Sequence, residues 1–255
     1  FCFLELHNQV KMNSIGHYKI GMKKDGTVTA IQGDWTGESG ACHGEQYLIV
    51  GVGLISQPIL AQSKNVDITG RCVVTNRMCS GAFRGYGYLE NGVHISNALY
   101  KALEKIDMDP YTYFCKNRLK VDDEFFHAYM CSGIHKCAGP DPLALLQAGA
   151  EAFHWEEKWK GYGAPTSEEG NKIRAVGMGL CGQTDTGENA AQENVQLNFD
   201  GGVVVYCAAT EFGPGTRDVV RKIAAEELNV QLEMVQVTPS DSISVPYDWG
   251  STGSR

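Results

Sequence analysis

Apolar and polar residues alternate on both sides of Asp25-Gly26 in the stretch YKIGMKKDGTVTAIQGDW, residues 18–35. A period of two predicts strands that cover a core with one face. Asp-Gly suits the φ > 0 positions of a type I′ hairpin turn. The same unit recurs in ENVQLNFDGGVVVYC, residues 193–207, turning at Asp200-Gly201. Each hairpin is followed, some way on, by a glycine-bearing loop and then a helix. After AFRGYG (82–87), Ile95, Ala98, Leu99, Ala102, Leu103 and Ile106 follow the i, i+3, i+4, i+7 spacing of an amphipathic helix. After TEFGPGT (210–216), Val219, Val220, Ile223, Ala224 and Leu228 predict a second buried stripe. The chain therefore reads as α+β, built from two similar mixed sheet-and-helix modules: residues 1–122, a helical and loop connection over 123–172, and residues 173–255. Asp109-Pro110 and Asp141-Pro142 each predict an N-cap followed by proline at the first helical position. The polar stretch KGYGAPTSEEGNK (160–172) reads as a loop.

Charge and cysteine content narrow the class. There are 22 basic and 30 acidic residues among 255, a formal net charge of −8. This leaves no cationic excess for displacing phosphate counterions, so nucleic acid is not expected as a partner. No apolar stretch reaches the 18 residues of a membrane span, so no membrane association is expected either. The start, FCFLELHNQV, has neither an initiator Met nor the charged n-region of a signal peptide. The chain reads as cut from something longer, and such a core exposes apolar surface that favours homo-oligomers. Nine cysteines, an odd number without C-x-x-C, predict reduced thiols in a cytoplasmic protein.

Four places carry candidate chemistry. Gly177-Met-Gly179-Leu-Cys-Gly182 has dinucleotide-loop spacing, but the residues after it show no helical face, so it reads as a strand-to-loop passage. His127, Cys131, His135 and Cys137 match no common zinc spacing. In GAFRGYG (81–87), Arg84 stands between two aromatics and three glycines. A guanidinium so placed asks for an anion, and the glycines let a ligand approach the backbone. Gly213-Pro-Gly-Thr216 stands directly before a helix. Alone it reads as a tight turn with a Thr N-cap; its helix N-terminus can also hold a phosphate. The small, hydroxyl-rich DWGSTGSR (248–255) is either a grip for a polar ligand or a flexible end.

Taken together, these segments resemble the molybdenum hydroxylases, the xanthine dehydrogenase/aldehyde oxidase family. TNRMCSGAFRGYG, DPYTYFCKNRL, DGGVVVYCAATEFGPGTRDVVRKIAAEEL and SVPYDWGSTGSR are similar, in that order, to four of its segments. The resemblance implies two molybdopterin-binding domains, the end of one and the start of the next, in an internal piece of the large subunit. It implies molybdopterin with molybdenum as cofactor, extended in many bacterial members by a cytidine nucleotide (the cytosine dinucleotide form). It also implies iron–sulfur (2Fe-2S) and flavin (FAD) groups in other domains or subunits. The activity it implies is hydroxylation of a small-molecule aldehyde or N-heterocycle with water as oxygen source. Carried over, Phe83, Arg84 and Gly85 lie beside the cofactor, Thr210, Phe212, Gly213 and Gly215 contact the pterin, and Thr252 and Gly253 stand near the metal. Tyr86, Gln183 and Thr184 line the substrate channel.

Departures from the family pattern set limits. Pro214 stands where the family has Gln and offers no N–H. Tyr86 and Gln183 replace Phe and make the channel more polar. No arginine occurs between Phe1 and Gly70, where purine-oxidising members place one, which counts against xanthine as substrate. The glycine-rich segment expected upstream and the general-base glutamate expected downstream are not in these 255 residues, so no catalytic residue and no metal ligand is assigned and the piece alone is expected to be inactive. The rival reading is a non-catalytic α+β binding or assembly module that retains the scaffold.

Overall fold

In the computed structural model the described residues are 10–42, 44–127, 133–182, 191–211, 213–248 and 250. They fall into two compact units, Phe1–Thr184 and Asp185–Arg255.

The first unit opens with β1 (Ser14–Met22) and β2 (Val28–Gly40), an antiparallel hairpin. The turn lies where Asp25-Gly26 predicts it, but it is not type I′. Gly26 alone has positive φ (81°), and the Asp25 carboxylate accepts the Thr27 amide at 3.0 Å. Along β2, Ile31, Gly33, Trp35, Gly37 and Ser39 are buried, while the residues between them are half-buried or exposed. That is the period of two seen in the sequence. The chain then passes through helices α1 (Gln46–Gly53) and α2 (Ser56–Leu60) into β3 (Val66–Val74), which lies parallel to β2.

Helix α3 (Tyr88–Lys105) packs on β1 and α2. Ile95, Leu99 and Leu103 are fully buried and form the predicted stripe. Asn91 on the same helix is fully buried and satisfied: it accepts the Tyr18 hydroxyl and donates to the Gly53 carbonyl at 2.9 Å. It thereby ties α3 to both β1 and α1. Helix α4 (Pro110–Asn117) begins as its sequence demands, with Asp109 accepting the Tyr111 and Thr112 amides. After the short hairpin β4 (Glu124–His127) and β5 (Gly133–Lys136) come α5 (Leu143–Phe153) and α6 (Trp155–Lys158). Helix α5 starts one residue later than predicted, with Pro142 as N-cap, although the Asp141 carboxylate still accepts the Leu143 amide. The predicted loop over 160–172 instead enters a two-stranded hairpin, β6 (Ser167–Glu169) with β7 (Lys172–Arg174). Residues 175–182 are irregular, and no helix opens at the Gly177 motif among them.

Two core clusters hold this unit. One gathers Val28, Ile31, Leu99, Leu103, Tyr113 and Phe114; the other gathers Met12, Trp35, Ile49 and Val50. Each large side chain so buried contributes about 1.5–3 kcal/mol.

The second unit repeats the opening of the first. β8 (Glu193–Leu197) and β9 (Val203–Cys207) form an antiparallel hairpin. Gly201 alone has positive φ at its turn (84°), and Asp200 accepts the Gly202 amide at 2.9 Å. Helix α7 (Thr216–Leu228) then leads to β10 (Val235–Val237), parallel to β9. Val203, Val205, Cys207, Ala225 and Val235 form the core. Of the five residues of the predicted stripe on α7, Val220 and Ala224 pack on the core, but Val219, Ile223 and Leu228 are 50%, 55% and 37% exposed. The sheet meets a face rotated toward Ala225, which periodicity did not distinguish.

Both modules are thus a hairpin plus a third, parallel strand reached through a helical crossover. This topology corrects one equivalence. The loop before α7 corresponds to the 41–45 segment before α1, since both join the second strand to the crossover helix. The Arg84 loop comes after the third strand. Among the described residues no helix is long and apolar enough to cross a membrane.

Candidate functional site

In the first unit, Gly81–Gly87 leaves the sheet and enters α3. The Gly81 amide donates to the Val10 carbonyl at 3.1 Å, and the Ser80 amide to Ser39 at 2.9 Å, so the entry is fixed to the core. The Tyr86 amide closes a turn on the Phe83 carbonyl at 2.8 Å. Arg84 projects from this turn and is exposed. Its carbonyl accepts Lys11 Nζ at 2.9 Å. Lys11 also pairs with Glu90 Oε1 at 3.1 Å and lies 4.8 Å from the Phe83 ring centroid. Among the described residues the Arg84 guanidinium has no ion pair or hydrogen bond. Its planar fork is therefore available to an anion.

Tyr86 carries an unusual backbone, φ 45°, between Gly85 (φ 99°) and Gly87 (φ 101°). Its half-buried ring packs against the Trp35 cluster and its hydroxyl donates to Glu45 Oε2 at 3.0 Å. Gly87 is the N-cap of α3, and a Cβ there would stand 2.1 Å from the Ile49 carbonyl oxygen. Glu90 reaches back to the Gly87 amide at 3.1 Å. The helix start is thus satisfied internally, and Arg84 rather than the helix end is the group open to a ligand.

In the second unit, Thr210, Gly213 and Pro214 are exposed. Gly215, not Thr216, is the N-cap of α7. The Gly213 and Gly215 amides both donate to Glu211 Oε1, at 2.7 and 3.1 Å. Those bonds, the Gly215 bond foremost, hold the Glu211 carboxyl below its ordinary range. Backbone amides that converge in such a turn form an anion-binding hollow, and here the anion is this chain's own carboxylate. Phe212, Gln183, Thr184, Thr252 and Gly253 lie outside the described residues.

Sequence reasoning missed the two glutamates that organise these loops. Glu45 and Glu211 occupy equivalent connections, between the second strand and the crossover helix. Glu211 could have been found as a carboxylate two residues before a glycine turn, the spacing of a local cap. Nothing local marks Glu45, whose partners are 37 and 41 residues away. The described His, Cys, Asp and Glu residues include no cluster able to hold a metal ion.

Comparison with known proteins identifies the two modules. Residues 6–118 match one molybdopterin cofactor-binding domain family and residues 148–255 match a second. A probable hypoxanthine oxidase of Escherichia coli K12 is 26% identical over 246 residues, covering 92% of this chain and 25% of that protein. Aldehyde oxidase 1 of Macaca fascicularis is 24% identical over 246 residues, covering 94% and 18%. The structure of the aldehyde oxidoreductase from Desulfovibrio gigas superposes with a TM-score of 0.71 at 25% identity, covering 97% of this chain and 27% of that one. The chain thus spans about a fifth to a quarter of the length of such relatives. With both modules matched and both branches among its relatives, the chain belongs to the xanthine dehydrogenase/aldehyde oxidase family of molybdenum hydroxylases.

Proposed function

We propose that this chain forms part of the molybdopterin-holding portion of a cytoplasmic oxidoreductase that hydroxylates an aldehyde or N-heterocycle with water as oxygen source. The observation that carries the reading is the Arg84 guanidinium, exposed and unpaired among the described residues on a turn whose backbone is anchored on both sides. Such a group fits an anionic cofactor: the fork is preorganised, and no carboxylate among the described residues competes for it. When bound, molybdopterin with its molybdenum supplies the redox chemistry and the activation of water. The residues of this chain bind and orient. Arg84 would hold an anionic part, with Phe83 and Gly85 beside it. Thr210, Phe212, Gly213, Gly215, Thr252 and Gly253 would complete the grip, and Tyr86, Gln183 and Thr184 would face the substrate. The electrons need an outlet, for which 2Fe-2S and FAD groups in other domains or subunits are suited. The cytidine-extended cofactor is the form proposed for a bacterial member. The general base comes from outside residues 1–255, and the isolated chain is inactive.

One observation favours the second reading, a non-catalytic binding or assembly module. Two amides of the 213–215 loop are taken by Glu211, and Pro214 has none to give. The deciding experiment is the molybdenum and pterin content of the full-length protein purified from cells that make molybdopterin. The hydroxylase reading expects near-stoichiometric cofactor, at least tenfold less retained in Arg84→Ala, and an intermediate value in Arg84→Lys, which keeps charge but not the fork. Wild-type protein free of both pterin and molybdenum would transfer the case to the module.

A further inference from the structure

We infer that Glu45 is a positioning residue for Arg84, setting where the guanidinium points without touching the ligand itself. This rests on the reading above, in which Arg84 meets the anionic cofactor. Glu45 is the N-cap residue of α1, yet its carboxylate caps none of that helix's own amides. It reaches instead across to the Arg84 loop. Oε1 accepts the Ala82 amide at 2.9 Å and Oε2 accepts the Tyr86 hydroxyl at 3.0 Å. Ala82 is two residues before Arg84 and Tyr86 two after. One rigid, planar group therefore grips the turn on both sides of the arginine.

The rest of the surroundings explain why this grip matters. Glu45 is anchored at the start of a helix whose Ile49 and Val50 are buried in the Trp35 cluster. Next to it, Gln46 is 3% exposed and donates from its side chain to the Ser80 carbonyl, one residue before the loop. Lys11 holds the Arg84 carbonyl from the other side and is itself held by Glu90. The loop proper has few alternatives. It is exposed from Ala82 to Arg84, and positive φ at Gly85, Tyr86 and Gly87 gives it no regular ladder to lean on. Without Glu45 the loop loses both bonds, and the direction of the guanidinium is no longer set. An arginine at a forked contact loses its advantage when the fork must be reoriented on binding.

The test is a double-mutant cycle in the full-length protein purified with its cofactor. The rate of pterin release is followed by fluorescence of the freed pterin, beside amide exchange of the 79–88 segment in cofactor-free protein. Glu45→Ala is expected to speed exchange at Ala82 and to speed pterin release about tenfold, the scale of one lost charge-assisted hydrogen bond. Glu45→Gln keeps an acceptor for Ala82 and can donate to the Tyr86 oxygen, and is expected to stay within about twofold of wild type. In the Arg84→Ala background, Glu45→Ala should add nothing, because it acts through that side chain. Should Arg84→Ala speed release while Glu45→Ala leaves it unchanged, or should the two effects multiply, the positioning role is overturned. If Arg84→Ala itself leaves release unchanged, the cofactor reading of the loop falls and the inference with it.

Discussion

The tightest backbone approach around the candidate site is between Gly87 and α1, and it yields a quantitative expectation. In Gly87→Ala the new Cβ would lie 2.1 Å from the Ile49 carbonyl oxygen and 2.8 Å from the Gly53 amide nitrogen. Both are backbone atoms, and Ile49 itself is 1% exposed in the Trp35 cluster, so neither can swing aside. Helix α1 or the loop must move by about an ångström, an overpacking of about 1–3 kcal/mol. The φ of 101° adds about 1–2 kcal/mol for any residue with a Cβ. Together these amount to a loss of about 2–5 kcal/mol, a large part of the 5–15 kcal/mol that holds an ordinary domain together. Gly85 supplies the control. Its φ is nearly the same, 99°, but a Cβ there would meet only Leu89 Cβ at 3.6 Å and Leu89 N at 3.8 Å, ordinary contacts. Gly85→Ala should therefore lose only the conformational part. Urea unfolding followed by tryptophan fluorescence, run on both variants side by side, cancels whatever else the protein contributes. The expected gap is about 1–3 kcal/mol, or several degrees in Tm at about 2–4 °C per kcal/mol. Equal destabilisation by the two alanines would refute the argument that close approach, rather than φ, dictates Gly87.

Further outcomes follow from the same contacts. Asp109→Ala removes the cap of α4 and the bond from Trp155 Nε1 at 2.8 Å; a loss of about 1–3 kcal/mol is expected in denaturant melts, with α4 fraying first in amide exchange. Tyr18→Phe strands the fully buried Asn91 oxygen and should cost about 1–3 kcal/mol; because burial pushes the Tyr18 hydroxyl up to about 12, alkaline titration of this variant should lose one phenol near pH 12 and leave the number ionising near pH 10 unchanged. Glu211 is held below the ordinary carboxylate range by the Gly215 and Gly213 amides. The order it lends the loop is thus complete above the unfolded pKa and is lost as pH falls through the depressed folded value. Amide shifts of Gly213 and Gly215 should report that transition, and Glu211→Gln should abolish it; a midpoint no lower than that of a free glutamate would contradict the bonding seen here.

What could be read from residues alone was the local part. Asp25-Gly26 and Asp200-Gly201 place two hairpins because the glycine supplies positive φ and the aspartate accepts the following amide. Asp109-Pro110 starts α4 because proline needs no hydrogen bond there and the aspartate satisfies the next two amides. Ile95, Leu99 and Leu103 mark the buried face of α3 through one clean period. Helix α1, QYLIVGVG, carries no such stripe, since it is apolar nearly all round and holds two glycines. Its existence depends on being covered by β2, β3 and α3.

The sequence by itself therefore determined the turns, caps and periodic faces, and the ordered segments that mark the family, because each is encoded within a few neighbouring residues. Only the tertiary structure decided the rest. It set β3 and β10 parallel beside the hairpins and turned the buried face of α7 toward Ala225 rather than Ile223. It also committed the Gly213 and Gly215 amides to Glu211, and brought Glu45 to a loop some forty residues away. Such pairings depend on which surfaces meet when the crossovers fold back, and no property of a short stretch of chain carries that information.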